Sequence, residues 1–260
     1  MIYDQDAPPE EIWRTGRVEF ALRYPFSNGW RTIAGCGVLA TTSFLVFSAI
    51  PLVAFLFSLA LPLLTPTAVV AFAAAVVASF AVPALAVVGY GYAVCREAAY
   101  GGLRVPPLGG IGRRFLRGVG VVFVVAIVLA PVGIVTADTA LFYESAGAET
   151  VGAVVTVGVF VAYYLVTAFV TVYAVTGSIL KTFLSWRVPR FVFSTYYLRV
   201  WLYQFVVLLG LLIVGLMSVP TVVGFFFWLG YAPVALAAYL GRVYKEAMDE
   251  GVVEPEDTAV

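Results

Sequence analysis

The sequence predicts an all-α polytopic membrane protein, with six transmembrane helices as three pseudo-repeated hairpins and with cytoplasmic interfacial helices. Hydrophobic residues make up 62% of the 260 residues and charged residues only 12%, whereas a soluble domain carries about 25% charged residues. A globule of this size cannot bury so much apolar surface, so much of it must face lipid. The charges are also confined to short segments between long uncharged runs, which predicts repeated membrane crossings.

The uncharged runs define the predicted spans. About 20 apolar residues cross a bilayer, and prolines within 61–66 and 218–220 divide the two longest runs, because proline lacks the donor that continues a helix. The predicted spans cover about residues 33–61, 67–94, 118–137, 150–180, 200–218 and 221–243. They form a membrane domain of residues 31–247, between an N-terminal cytoplasmic amphipathic segment at 1–30 and an acidic cytoplasmic tail at 248–260.

The basic residues predict the orientation. All 15 Lys and Arg residues fall on one side of these spans, whereas the opposite connections carry only Asp138, Glu144 and Glu149. Cytoplasmic loops collect Lys and Arg, so the basic side and both termini are predicted to be cytoplasmic. The predicted localisation is therefore the cell membrane, with a multi-pass topology. No cleavable signal peptide is predicted, because the first apolar run starts only after Arg31.

An internal repeat supports the three hairpins. Basic, aromatic or glycine-bearing segments at 24–31, 111–117 and 191–199 each lead into a pair of predicted spans. The first and third hairpins also end alike, with Cys95-Arg96-Glu97-Ala98 and Tyr244-Lys245-Glu246-Ala247. Similar units of this kind predict a bundle with pseudo-threefold symmetry.

Several short motifs resemble those of a known family. They are Arg23-Tyr24-Pro25-Phe26 with Asn28-Gly29-Trp30, Gly89-Tyr90-Gly91-Tyr92 leading to Arg96 and Pro106-Pro107, and Leu240-Gly241-Arg242-Val243-Tyr244. Together they resemble an archaeal multi-pass membrane family known as domain of unknown function 4013, over residues 18–247. The resemblance implies a six-helix fold and an archaeal, often halophilic, source, and it implies no activity. Members often place acidic residues after the Pro-Pro pair, whereas residues 108–114 carry none.

The residues that are missing exclude several classes of function. Histidine is absent, and no predicted span carries an ionisable residue in its core. This argues against a proton-coupled pump, a voltage sensor and an intramembrane metalloprotease, all of which need such groups. We interpret Cys36 and Cys95 as small core residues. No catalytic, cofactor or metal site is predicted.

Only two carboxylates could serve as a catalytic base at the cytoplasmic helix ends. These are Glu97 and Glu246, and we expect them instead to pair with their neighbours Arg96 and Lys245. The chain is therefore predicted not to be an enzyme.

A polar stripe follows the fourth predicted span. Its members recur at spacings that keep them on one helix face, and they are Thr156, Tyr163, Thr167, Thr171 and Ser178. One interpretation is the lining of a path for a solute or water. The other is hydrogen bonding between helices or back to the carbonyls of the same helix.

The cytoplasmic segments contain candidate contacts for lipid headgroups. These are Arg113, Arg114, Arg117, Arg187 and Arg190. The first three accompany an apolar face of Leu108, Ile111, Phe115 and Val119. Trp13 with Phe20, and Trp186 with Phe191 and Phe193, predict two further interfacial helices. The alternative is that these residues are ordinary topology signals and aromatic belts.

The sequence thus favours a non-enzymatic membrane module that interacts with membrane lipids, a partner membrane protein or further copies of itself. The alternative is a transporter or channel for a neutral or lipid-like solute, motivated by the repeated hairpins and the polar stripe. A nucleic-acid partner is not expected, because the net charge is +0.

Overall fold

The computed structural model describes residues 16–27, 31–42, 45, 49, 66–102, 104–141 and 148–254. Within these residues all regular structure is helical and no strand occurs, which confirms the predicted all-α class. The elements are α1 (Arg17–Arg23) with a 3-10 turn at Tyr24–Phe26, α2 (31–42), α3 (Pro66–Ala99), α4 (Ile111–Leu141), α5 (Ala148–Thr176), α6 (Ile179–Leu184), α7 (Arg187–Val192), α8 (Thr195–Ser218) and α9 (Val222–Asp249).

Four of the described helices are long and apolar enough to cross a membrane. The qualifying stretches are Gly112–Pro131, Gly152–Thr176, Thr195–Ser218 and Val223–Asp249. The predicted span at 33–61 lies partly outside the described residues, whereas the predicted span at 67–94 falls within α3. Helices of this length and composition are compatible with a membrane protein.

The predicted span at 150–180 is divided in the structure. Helix α5 ends at Thr176, and Gly177 follows with φ 68°. Residues other than glycine rarely adopt this left-handed backbone conformation, so glycine commonly follows a helix that ends in this way. Helix α6 then begins at Ile179, where the Ser178 hydroxyl accepts a hydrogen bond from the Lys181 backbone at 3.4 Å. The uncharged run therefore contains a helix and the start of a connection.

Glycines allow the long helices to approach backbone to backbone. A Cβ atom on Gly89 of α3 would collide with the carbonyl oxygen of Arg114, and one on Gly118 of α4 with that of Leu85. Helices α2 and α9 meet in the same way at Gly37 and Gly230. Small residues permit such close packing where apolar side chains gain nothing by leaving lipid.

Helix α3 lies at the centre of the described bundle, in contact with α4, α5 and α9, while α9 also contacts α1 and α8. The five largest fully buried side chains are tyrosines, namely Tyr24, Tyr90, Tyr197, Tyr239 and Tyr244. Buried phenols usually donate a hydrogen bond. Tyr24 and Tyr90 donate to carbonyls in the connection from α3 to α4, and Tyr239 donates to the carbonyl of Val200 near the start of α8.

Candidate functional site

The polar contacts concentrate at one end of the bundle, which we call the basic end. Helices α3, α5 and α9 finish there, α4 and α8 begin there, and α1 packs against it. The described arginines and lysines lie in these helix ends, in the segments that join them, in α1 and at Arg31 of α2.

The first cluster joins α3 to α4 through tyrosine and arginine. The guanidinium of Arg114 lies 5.2 Å from the ring centre of Tyr90, and that of Arg117 lies 4.8 Å from the ring centre of Tyr92. Arg114 also donates to the carbonyl of Pro107 at 3.0 Å. Two of the predicted headgroup contacts are therefore half-buried against aromatic rings, whereas Arg113 is exposed.

The motifs that carry the family resemblance meet at the basic end. Tyr24 donates to the carbonyl of Arg104 at 3.0 Å, and Tyr90 donates to that of Pro106 at 2.6 Å. The pKa of Tyr24 is raised by burial and then by the nearby charge of Glu97. A Cβ atom on Gly241 would collide with the carbonyl oxygen of Cys95. Segments far apart in the sequence thus hold one another in place.

Glu246 is the centre of a second cluster. Its carboxylate accepts hydrogen bonds from Arg17, from Arg242 at 2.7 Å and from the Tyr196 hydroxyl at 3.2 Å. The side chains of Arg17, Arg242 and Glu246 are only 28%, 11% and 19% exposed. Burial alone would lower the pKa of Arg17. The hydrogen bond to Glu246, the charge of Glu246 and the nearby Tyr196 phenol have the opposite effect and outweigh burial, so the pKa of Arg17 is raised. The carboxylate fastens α1 to α9.

The expected neighbour pairs of the two glutamates are wrong. Lys245 pairs with Asp249 at 2.7 Å and not with Glu246. Glu97 is exposed, and the Arg96 guanidinium lies 5.9 Å from the ring centre of Tyr100. No ion pair joins Glu97 to Arg96 in the described part of the chain. Side chains at adjacent helix positions do not face each other, which explains both differences.

The structure also reassigns an aromatic residue of α1. Phe20, predicted to lie at the membrane interface, is fully buried, and the Arg242 guanidinium lies 5.4 Å from its ring centre. Trp13, predicted to accompany it, lies outside the described residues. In the third predicted interfacial helix, Phe191 is likewise buried, whereas Trp186 and Phe193 are exposed. Each of these elements uses one aromatic residue to bind the bundle.

The polar stripe of α5 is engaged in hydrogen bonds. Thr171 donates to the carbonyl of Thr167 at 2.6 Å, and the exposed Thr156 donates to that of Gly152 at 2.8 Å. Thr167 also lies 2.7 Å from the hydroxyl of Tyr197 on α8. Ser178 lies beyond the end of α5 and caps α6. The structure thus brings Tyr163, Thr167 and Thr171 together and separates them from Thr156 and Ser178.

Two residues of α8 complete this cluster and were not predicted from the sequence. Gln204 is 1% exposed and donates its side-chain amide to the Tyr163 hydroxyl at 2.6 Å. The indole N–H of Trp201 is buried, and the described residues offer it no acceptor. An amide in an otherwise apolar predicted span was the available signal for Gln204.

Two apolar grooves lie on the outside of the bundle. One of about 530 Å³ runs between α4 and α5 and is lined by Val125, Leu129, Gly133, Val155, Val159, Ala162, Tyr163 and Val166. The other, of about 480 Å³, lies between α2 and α9, lined by Ala34, Gly37, Val38, Thr41, Thr42, Val223, Phe226 and Phe227. Thr167 and Thr171 line neither groove. The groove beside the stripe therefore contains one polar side chain, Tyr163.

The described residues bring no cluster of three His, Cys, Asp or Glu side chains together. Cys36 and Cys95 are both buried and carry free thiols. The basic end contains aromatic rings and guanidinium groups, together with the bonded carboxylate of Glu246 and the exposed one of Glu97.

The sequence profile of one family, described as "Protein of unknown function (DUF4013)", matches residues 72–220. This range includes Gly89-Tyr90-Gly91-Tyr92 and Pro106-Pro107, while the motifs near Tyr24 and Gly241 lie outside it. No curated protein and no solved structure is significantly similar to the chain. Since the profile covers more than half of the sequence, the chain belongs to the DUF4013 family of proteins of unknown function.

Proposed function

We propose that the chain is a non-enzymatic membrane module with six spans, whose basic end faces the cytoplasm and binds lipid or a partner membrane protein. The observation that carries the proposal is that polar groups at the basic end bind other groups of the same chain. Glu246 serves three donors of the chain itself, and Arg114 and Arg117 lie against tyrosine rings. Groups committed in this way build a rigid platform and leave apolar and cationic side chains at its surface.

The helix directions support six spans. Helices α2, α4 and α8 begin at the basic end, and α3, α5 and α9 finish there. This alternation agrees with three hairpins that each leave from and return to one side, and with a basic side in the cytoplasm of the cell. An archaeal source is a further inference, which rests on the family resemblance alone.

Topology is tested by cysteine labelling from either side of the membrane. Arg104 is exposed in the connection from α3 to α4, and Arg187 lies in the connection from α5 to α8. Cys36 and Cys95 are buried, so they provide a silent background. We expect Arg104→Cys and Arg187→Cys to react with a membrane-impermeant maleimide only after the inner face is opened. Labelling of either position on intact cells would overturn the orientation.

The absence of enzymatic activity is tested at the carboxylates. Glu246 is bonded to Arg17, Arg242 and Tyr196, and Glu97 is exposed, so these two carboxylates are the ones to vary. A turnover of any lipid substrate that is lost in Glu97→Gln or Glu246→Gln, with folding retained, would overturn this part of the proposal.

The groove beside Tyr163 favours one alternative, a transporter or channel for a neutral or lipid-like solute. It is apolar, and the Tyr163 hydroxyl beside it is held by Gln204. If this alternative holds, Val159→Trp should block the solute flux in proteoliposomes, while Val157→Trp, on an exposed position outside the groove, should not. Flux that is equal in both variants would count against it.

A further inference from the structure

The connection between α5 and α8, residues 177–194, exposes large apolar side chains at the basic end. We call this connection the elbow. Leu180, Leu184, Trp186 and Phe193 are 72%, 81%, 76% and 86% exposed. Leu180 and Leu184 lie one turn apart on α6, and Trp186 and Phe193 lie about two turns apart at the ends of α7, so each pair shares a helix face. Adjacent apolar side chains with such exposure mark an interaction surface.

The other faces of α6 and α7 hold the elbow against the bundle. The ring of Phe183 lies 4.9 Å from that of Phe169 on α5, and the ring of Phe191 lies 4.4 Å from that of Tyr197 on α8. Tyr164 of α5 donates to the carbonyl of Val192. Because these contacts fix the inner face, the four exposed side chains are presented outward by a rigid support.

The position of the elbow indicates what it contacts. It joins the end of α5 at Thr176 to the start of α8 at Thr195, and both helices are apolar enough to cross a membrane. The elbow therefore lies where two spans leave the hydrocarbon layer. The same segment carries Lys181, Arg187 and Arg190. Leucine and aromatic side chains beside cations are the composition of segments that lie in the interface of an anionic leaflet.

We propose that the elbow docks on the headgroup layer of the adjoining leaflet and selects acidic lipids. The four apolar side chains enter the interface, and the three cations of the elbow, Lys181, Arg187 and Arg190, bind the anionic headgroups. The proposal rests on the proposed function, because it requires α5 and α8 to cross the membrane.

The carboxylate of Glu254 acts as a counter-charge inside the chain. It lies 2.5 Å from the Arg190 guanidinium, directly after Val253, which is buried in the core. Gly251, with φ 72°, reverses the chain after α9 and brings Glu254 to the elbow. Glu254 therefore competes with lipid for one of the three cations, and its neutralisation should strengthen the binding of acidic lipid.

Contact with lipid is tested by fluorescence at the elbow. Phe193→Cys is labelled with an environment-sensitive dye, since the native cysteines are buried, and the full chain is placed in nanodiscs of phosphatidylcholine and phosphatidylglycerol. Glu250→Cys, exposed after the end of α9, is the matched control. We expect lipids with brominated chains to quench the dye at 193 and not at 250. Equal, water-like emission at both positions would overturn the docking and would assign the elbow to a protein partner or to solvent.

Selection of acidic lipid is tested by the phosphatidylglycerol that remains bound after detergent extraction. Each cation near an anionic surface contributes about fivefold in binding, so Lys181→Gln and Arg187→Gln should each lower retention by roughly this factor. Glu254→Gln should raise the retention of phosphatidylglycerol. Leu184→Ser combined with Phe193→Ser should lower the retention of both phosphatidylcholine and phosphatidylglycerol. Unfolding temperatures and size-exclusion profiles identify any variant that fails to fold.

The outcomes separate this inference from the proposed function. Retention that is unchanged in the lysine, arginine and glutamate variants would overturn the lipid selection, while Arg104→Cys labelled only from the inner face would leave the proposed topology intact. If Arg104→Cys is labelled from outside, both proposals fail.

Discussion

The two ends of the bundle are built differently. At the basic end, backbones touch at Gly89 and Gly118, and the phenols of Tyr24 and Tyr90 donate to carbonyls of other segments. Toward the opposite end, side chains such as Ile134 and Phe160 are exposed, and a Cβ atom on Gly152 or Gly210 would meet no described atom within 4 Å. Among the described residues, hydrogen bonds between distant segments are thus frequent at the basic end, while the stretches of α4 and α5 around Ile134 and Phe160 present apolar surface.

The glycines give the largest expected difference between the two regions. Gly89→Ala inserts a methyl group into a backbone contact, so it should lower the free energy of unfolding by about 3 kcal/mol or more. Gly210→Ala adds the same group in open space within α8 and should stabilise by less than about 1 kcal/mol. Thermal unfolding in detergent measures both. Equal effects would contradict the comparison.

Removal of the Glu246 charge should have the next largest effect. Glu246→Gln leaves Arg17 and Arg242 without their carboxylate, which should cost about 2 kcal/mol, because loss of one partner of a fully buried pair costs 3–5 kcal/mol and this cluster is partly exposed. The matched control is Glu19→Gln, which breaks the exposed pair with Arg23 and should cost less than about 0.5 kcal/mol. Faster proteolysis before α1 should accompany only the first change. A stable α1 in Glu246→Gln would refute its role as the fastening residue.

Loss of a hydrogen bond between spans should have a smaller effect. Tyr197→Phe removes the contact with Thr167 and the bond to the Tyr164 carbonyl, which should lower stability by about 1–2 kcal/mol. Thr156→Val removes only a bond to the carbonyl of its own helix, and we expect almost no change. Denaturant titration of both variants decides whether the stripe joins α5 to α8.

The smallest expected difference lies within the arginines of α4. Arg117→Gln removes the contact with the Tyr92 ring and should cost about 0.5–1 kcal/mol. Arg113→Gln changes an exposed side chain and should leave the unfolding temperature unchanged. A larger loss of stability in Arg113→Gln than in Arg117→Gln would mean that the Arg113 side chain makes stabilising contacts.

Much of the helical architecture could be predicted from where charges are missing. An uncharged run indicates a helix that avoids water, but it cannot show where a helix ends inside the run, and Gly177 ended α5 within the predicted span at 150–180.

The aromatic residues at the basic end were misjudged for a related reason. Phe20 and Phe191 are aromatic residues in arginine-containing segments, which is the composition of interfacial helices. Only the packing of α1 and α7 determines that these two side chains face inward.

The partners of the polar residues were the least predictable feature. Tyr163 was expected on a polar face, but its bond to Gln204 depends on how α5 and α8 meet. Glu246 was expected to pair with Lys245, whereas it binds Arg242 on its own helix and Arg17 on another. Such pairs are set by tertiary packing, which periodicity along a single helix does not encode.

The bond between Arg17 and Glu246 joins residues separated by 229 positions in the sequence. A ribosome adds roughly 5–20 residues each second, so α1 is made on the order of 10–50 s before Glu246 exists. During that interval Phe20 lacks Arg242, which lies beside its ring in the folded protein. Synthesis of α9 is therefore required before α1 can dock, and a nascent chain stopped before residue 246 would leave α1 without this bond.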